Sequence, residues 1–129
     1  MQYDFTGEQR AWRDEIRAFI KEHLTPELLA ELREAGNEGK GPMADRFILA
    51  LRDRGYWGLA WPAEYGGLGR SAIDQWIFVD ELESAGAPML PLTVTSVAPT
   101  IMRIGTEAQK KHWLPKIVAT EVDFAVAYS

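Results

Sequence analysis

The 129-residue sequence contains no cysteine, which removes disulfides, a thiol nucleophile and cysteine-ligated metal together and fits a reducing compartment. Histidine is almost as scarce: His23 and His112 stand apart without ligand spacing, so no metal site is expected. No uninterrupted apolar run nears the ~20 residues that a membrane helix needs, so no membrane insertion is expected. Met1-Gln2-Tyr3-Asp4-Phe5-Thr6 lacks a basic segment followed by an apolar one and does not read as a secretory leader. Basic charge is in deficit, with 14 Lys+Arg against 19 Asp+Glu and a net charge of -5, which argues against nucleic acid as the main partner. A cytoplasmic chain of one domain, long enough to bury a real core, is expected.

Helical patterning fills most of the chain. Thr6-Gly7-Glu8-Gln9 is a capping box, and Trp12, Ile16, Phe19, Ile20 and Leu24 follow at helical spacing, with Arg13, Glu15 and Lys21 off that face. Pro26 stops this helix near His23. Thr25-Pro26-Glu27 starts another, with Leu28, Leu29 and Leu32 apolar and Gly36 ending it. Gly36-Asn37-Glu38-Gly39-Lys40-Gly41-Pro42 is a loop; no strand precedes it and no Gly-Lys-Ser/Thr follows, so it is not a phosphate cradle. A third helix is predicted over Met43 to Arg54, with Phe47, Ile48 and Leu51 facing in.

Tyr56 to Gly69 is dense in aromatics and turn formers, a loop expected to be held by its own buried rings rather than by a backbone ladder. Its Gly66-Gly67-Leu68-Gly69 misplaces the third glycine of a dinucleotide fingerprint and reads as a tight turn. Ser71-Ala72-Ile73-Asp74 caps a fourth helix whose inner face is predicted as Ile73, Trp76, Ile77 and Leu82. The neighbouring acids Asp80, Glu81 and Glu83 read as a solvated face. Ala85-Gly86-Ala87-Pro88 breaks the chain.

Met89 to Ile104 is the most apolar and least charged segment. It reads as one buried, central helix bent at Pro99. Its small and hydroxylated members leave room for a cavity, and plain core packing explains them equally well. Thr106-Glu107-Ala108-Gln109 opens a last helix. There Lys110 and Lys111 read as solvated, Trp113 and Leu114 face in, and Pro115 kinks or ends the regular turn. In Asp123-Phe124-Ala125-Val126-Ala127-Tyr128-Ser129 the period changes to two, the mark of a strand. A lone strand has no partner for its backbone groups, so this one is expected to feed a sheet outside the sequence. The residues thus predict an all-α domain of five or six helices over residues 1–121, with residues 122–129 opening a missing β-domain.

Three stretches, in order and spacing, resemble the N-terminal helical domain of the acyl-CoA dehydrogenase family. They are Trp61-Pro62-Ala63-Glu64-Tyr65-Gly66-Gly67-Leu68-Gly69, Ile104-Gly105-Thr106-Glu107-Ala108-Gln109-Lys110-Lys111-His112-Trp113-Leu114-Pro115, and Phe124-Ala125-Val126-Ala127-Tyr128-Ser129. The resemblance covers nearly the whole chain. Ala87-Pro88 and Thr95-Ser96-Val97-Ala98-Pro99-Thr100 are most similar to actinobacterial members acting on steroid side-chain CoA thioesters.

The resemblance implies an FAD-dependent oxidoreductase that dehydrogenates acyl-CoA at the α and β carbons. It also implies an electron-transfer flavoprotein as electron acceptor and a homo- or hetero-tetramer. The family's strand ends in Thr/Ser-Glu-Pro beside the pyrimidine side of FAD. Carried over, Tyr128 offers backbone groups to the flavin, Ser129 its hydroxyl as well, and Val126 lies close by. The helix from Met89 to Thr100 flanks the acyl cavity, which makes Met89, Leu92, Thr93, Ser96, Val97 and Thr100 the substrate-facing residues. The catalytic base is a glutamate of the family's C-terminal domain, so no residue here is assigned as catalytic. Two alternatives remain: a non-catalytic helical subunit of a hetero-oligomeric dehydrogenase, and a flavin monooxygenase of the same superfamily.

Overall fold

The computed structural model describes residues 4–35 and 41–127. Six α-helices carry the described chain: α1 (Gly7–His23), α2 (Pro26–Ala35), α3 (Pro42–Asp53), α4 (Ala72–Ala85), α5 (Ala98–Ile104) and α6 (Glu107–Val118). No strand occurs among the described residues. The residues expected to open a strand, as far as Ala127, carry no regular structure, because a strand is defined by a partner and none lies within the described chain. Of the expected loop from Gly36 to Pro42, residues 36–40 lie outside the described residues, and Pro42 is already the first residue of α3.

The helices begin where side chains can satisfy their first amides. Thr6 Oγ1 accepts from the Gln9 N–H at 3.2 Å while Gln9 Oε1 accepts from the Thr6 N–H at 2.9 Å. Ser71 with Asp74, and Thr106 with Gln109, repeat the reciprocal pair. α2 uses Thr25, whose hydroxyl accepts from the Leu28 N–H at 3.2 Å. α3 has a cap that local sequence does not announce. The Glu31 carboxylate of α2 accepts from the Met43 and Ala44 N–H groups at 3.1 and 2.7 Å, a charge-assisted contact at the positive end of α3.

Two compact units divide the chain. The first comprises the described residues up to Ile48 together with Ser71–Met89. Here α1 packs on α4 through Trp12, Ile16, Phe19 and Ile20 from one side and Ile77, Phe78 and Leu82 from the other, all buried. Trp12 Nε1 donates to the Asp74 carbonyl at 3.0 Å, and Phe19 meets Phe47 edge-on at 5.7 Å. The predicted inner face of α4 is half right: Ile77 and Leu82 are buried, but Ile73 and Trp76 are 51% and 56% exposed. Phe78 takes their place inside. Apolar residues are spread around α4 between Asp74, Gln75, Asp80, Glu81 and Glu83, so periodicity alone picks out no inward face.

Glu81 also departs from its expected solvated face. It is 8% exposed and forked between two arginines of α1, Arg13 and, at 2.9 Å, Arg17. Burial alone raises its pKa, but the hydrogen bonds from Arg17 and Arg13 prevail and hold the carboxyl below the usual range. Arg13 and Arg17 sit four apart beside the stripe Trp12, Ile16 and Ile20, the spacing that places both on one flank. That spacing was the available signal. Glu81 lines an open cleft of about 290 Å³ with Arg17, Ile20, Lys21, Ser84 and Ala85.

The second unit comprises Leu49–Arg70 and the chain from Leu90. Leu51, Tyr56, Trp57, Leu59, Trp61, Val94, Ala98, Leu114 and Ile117 are its buried apolar residues. Trp57 Nε1 donates to the Ile117 carbonyl at 2.9 Å. The aromatic loop is held by its rings, as expected, and also by backbone bonds that were not expected. The Leu68, Gly69 and Arg70 N–H groups donate to the carbonyls of Gly58, Trp61 and Leu59 at 3.3, 2.9 and 3.1 Å. Folding the chain back this tightly leaves no room at Gly67, where a Cβ would lie 2.1 Å from the Trp61 carbonyl oxygen. α6 runs through Pro115 to Val118, so the proline interrupts one hydrogen bond, to the Lys111 carbonyl, without ending the helix.

Candidate functional site

The residues that the resemblance assigns to ligands cluster in sequence on two runs, Met89–Thr100 and Asp123–Ser129. The first was expected as a single buried helix. Instead, Thr93–Val97 is wound as a π-helix, with the Ala98 N–H reaching back to the Thr93 carbonyl, and α5 follows. Pro99 has no N–H to offer the Thr95 carbonyl, and the turn ahead of it is wound wider. Local π-helical turns are frequent at functional sites.

Nor is the run enclosed. Thr93, Val94 and Ala98 are buried, while Met89, Leu92, Thr95, Ser96, Pro99 and Thr100 are exposed and Val97 is half-buried. One side of the segment packs inside the second unit, and its surplus apolar surface faces outward. Of the six residues read as substrate-facing, Leu92, Thr93, Ser96, Val97 and Thr100 belong to the second unit. Met89 ends the first.

The hydroxyls along this run are largely committed. Thr95 Oγ1 donates to the Pro91 carbonyl at 3.2 Å and Thr100 Oγ1 to the Ser96 carbonyl at 2.9 Å. Thr93 is different. It is 1% exposed, and its hydroxyl bonds across 30 positions of sequence to the second run. It donates to the Asp123 carboxylate and accepts from the Phe124 N–H at 2.8 Å. The same N–H lies 3.0 Å from Asp123 Oδ1. Beside this clasp the Phe124 ring meets Trp113 of α6 edge-on at 5.2 Å.

The chain arrives at the clasp through a strained turn. Thr120, a β-branched residue, has φ 60°, a left-handed conformation that costs about 1–2 kcal/mol for such a side chain. There the Thr120 and Glu121 N–H groups donate back to the Ile117 and Lys116 carbonyls at 3.0 and 2.9 Å, closing α6. Past the clasp the chain is open. Ala125, Val126 and Ala127 are exposed. Among the described residues, their backbone N–H and C=O groups find no hydrogen-bond partner. Tyr128 and Ser129 lie outside the described residues.

Among the described residues no group of three His, Asp or Glu side chains is arranged to hold a metal. No described helix is long and apolar enough to cross a membrane. Lys110 of the basic helix pairs with Glu107 at 3.0 Å, and its hydrogen bond to that carboxylate raises its pKa.

Comparison with known proteins bears on both runs. Residues 6–121 match the family model described as acyl-CoA dehydrogenase, N-terminal domain. The chain is 43% identical over 130 residues to the acyl-CoA dehydrogenase FadE26 of Mycobacterium tuberculosis, an alignment covering 100% of this chain and 32% of that protein. It superposes on the crystal structure of the ChsE4-ChsE5 complex from Mycobacterium tuberculosis with a TM-score of 0.82 at 43% identity, over 100% of this chain and 32% of that one. A second structure, the Tcur3481-Tcur3483 steroid ACAD, gives a TM-score of 0.78 at 37% identity over 95% of this chain and 31% of its counterpart. The chain therefore spans about a third of the length of the relatives it matches.

Proposed function

Because this chain belongs to the acyl-CoA dehydrogenase family, in which it is the N-terminal helical domain, we propose that the complete protein is an FAD-dependent acyl-CoA dehydrogenase. Its reaction is α,β-dehydrogenation of an acyl-CoA thioester, and steroid side-chain CoA esters are its substrate class. The observation that carries the reading is the end-to-end match to an acyl-CoA dehydrogenase. The steroid ACAD neighbour supports the choice of substrate.

In this reading FAD, when bound, accepts the electrons of the dehydrogenation. The chain's own contribution is to bind and orient. The backbone groups of residues 125–127, which have no hydrogen-bond partner among the described residues, suit a flat heteroaromatic edge of alternating donors and acceptors. They support a flavin-facing role for Val126 and for the following Tyr128 and Ser129. Leu92, Ser96, Val97 and Thr100 are proposed to face the acyl group, the small Ser96 and Thr100 leaving room beside them. Electrons leave through an electron-transfer flavoprotein. Both structural neighbours carry two-subunit names, which supports assembly with a second, related subunit.

The test is the absorbance spectrum of the complete protein, purified alone and with any co-encoded relative, followed by titration with acyl-CoA thioesters that include steroid side-chain esters. Flavin bands that bleach on thioester addition are expected. A flavoprotein that bleaches with no thioester overturns the dehydrogenase reading. Flavin retained only in the co-purified pair identifies the hetero-assembly.

A further inference from the structure

We propose that Thr93 is a positioning residue for the flavin-facing segment: its buried hydroxyl clasps Asp123 and Phe124 and so determines where residues 125–127 leave the helical unit. The inference rests on the reading of that segment as flavin-facing. It changes the role expected for Thr93, which was to face substrate. A side chain 1% exposed, whose hydroxyl already donates to Asp123 and accepts from the Phe124 N–H, has neither surface nor a donor left for an acyl carbonyl.

Three features converge on the clasp. The turn at Thr120 is held in a left-handed conformation that a threonine adopts only under constraint, so the direction of the chain past α6 is over-determined. The Phe124 ring seats against Trp113, which fixes the segment on α6 by packing. The Thr93 hydroxyl then fixes it on the π-helical run by hydrogen bonding, next to Leu92, Ser96 and Val97. One residue thus links the root of the flavin-facing segment to the run proposed to face the acyl group. Beyond Phe124 no hydrogen bond among the described residues holds the backbone, so the position of residues 125–127 is inherited from this anchor. A site residue has to be held within about 0.5 Å by its supporting shell to work.

The experiment uses the complete protein carrying Thr93→Val, which keeps the shape and removes the hydroxyl, Thr93→Ser, which restores it, and Asp123→Ala, which removes the acceptor. Flavin content after purification, the rate of flavin release on dilution, and the position of the flavin absorbance bands are measured beside far-UV circular dichroism. Thr93→Val is expected to release flavin about tenfold faster, the scale of one lost hydrogen-bonding group, with shifted bands and unchanged helix content. Thr93→Ser is expected to behave as wild type. Wild-type release and spectrum in Thr93→Val overturn the proposal, as does equal impairment of Thr93→Ser. If Thr93→Val fails to fold, Asp123→Ala, which removes the acceptor, decides: faster release supports the clasp, and unchanged release overturns it. A wild-type protein that holds no flavin overturns the underlying reading instead, so the two failures are distinct.

Discussion

At the scale of single residues, Glu81 carries the largest consequence for the first unit. Its carboxylate accepts from Arg13 and Arg17 while almost wholly covered. Removing it leaves two cations facing each other across the contact between α1 and α4. Both arginines keep substantial exposure, so the cost is less than that of a deeply buried pair. Glu81→Gln is expected to lower unfolding free energy by about 1–2 kcal/mol at neutral pH. The pH dependence follows from the depressed pKa in the folded state. Below the ordinary value of 4.5 the unfolded chain takes up the proton before the folded one does. The contribution is therefore complete above that value and is lost as pH falls through the lower folded value. Urea unfolding of wild type and Glu81→Gln should show a gap that closes on acidification; a gap constant with pH would contradict the ion-pair account.

At the scale of elements, α4 and the π-helical run show where pattern stops being informative. α4 carries Ile73, Trp76, Ile77, Phe78, Val79 and Leu82 within three turns, so several faces qualify as inner by periodicity, and packing against α1 selects one. That selection predicts an order opposite to side-chain size. Phe78→Ala should destabilise by about 3–5 kcal/mol. Trp76→Ala, despite deleting the larger ring, should cost about 1 kcal/mol or less, since Trp76 is more than half exposed and meets Phe5 in a tilted contact at 6.2 Å. Thermal unfolding of the two variants checks the order. The run from Leu92 shows a related limit. Its apolar composition reads as burial, but a segment can be apolar on several sides and packed on only one.

At the scale of the whole molecule, the chain spans about a third of the length of its relatives, and past Phe124 its backbone makes no hydrogen bond among the described residues. The 129-residue chain alone is therefore expected to leave the fluorescence of added FAD unquenched, while the complete protein quenches it; a titration of each checks this. Much was determined by sequence alone. Capping residues, proline positions and apolar spacing locate the helices because those signals act within one or two turns of backbone. The ordered motifs in the loop, the basic helix and the final segment identify the family. What tertiary structure alone decided are pairings across distant sequence: Glu31 capping α3, Glu81 between two arginines, Trp57 on Ile117, and Thr93 on Asp123 and Phe124. Local propensity sees neighbours a few residues away. A hydroxyl or carboxylate acquires its role from whichever partner the fold brings to it, so Thr93 reads as a pocket residue in sequence and as an anchor in space.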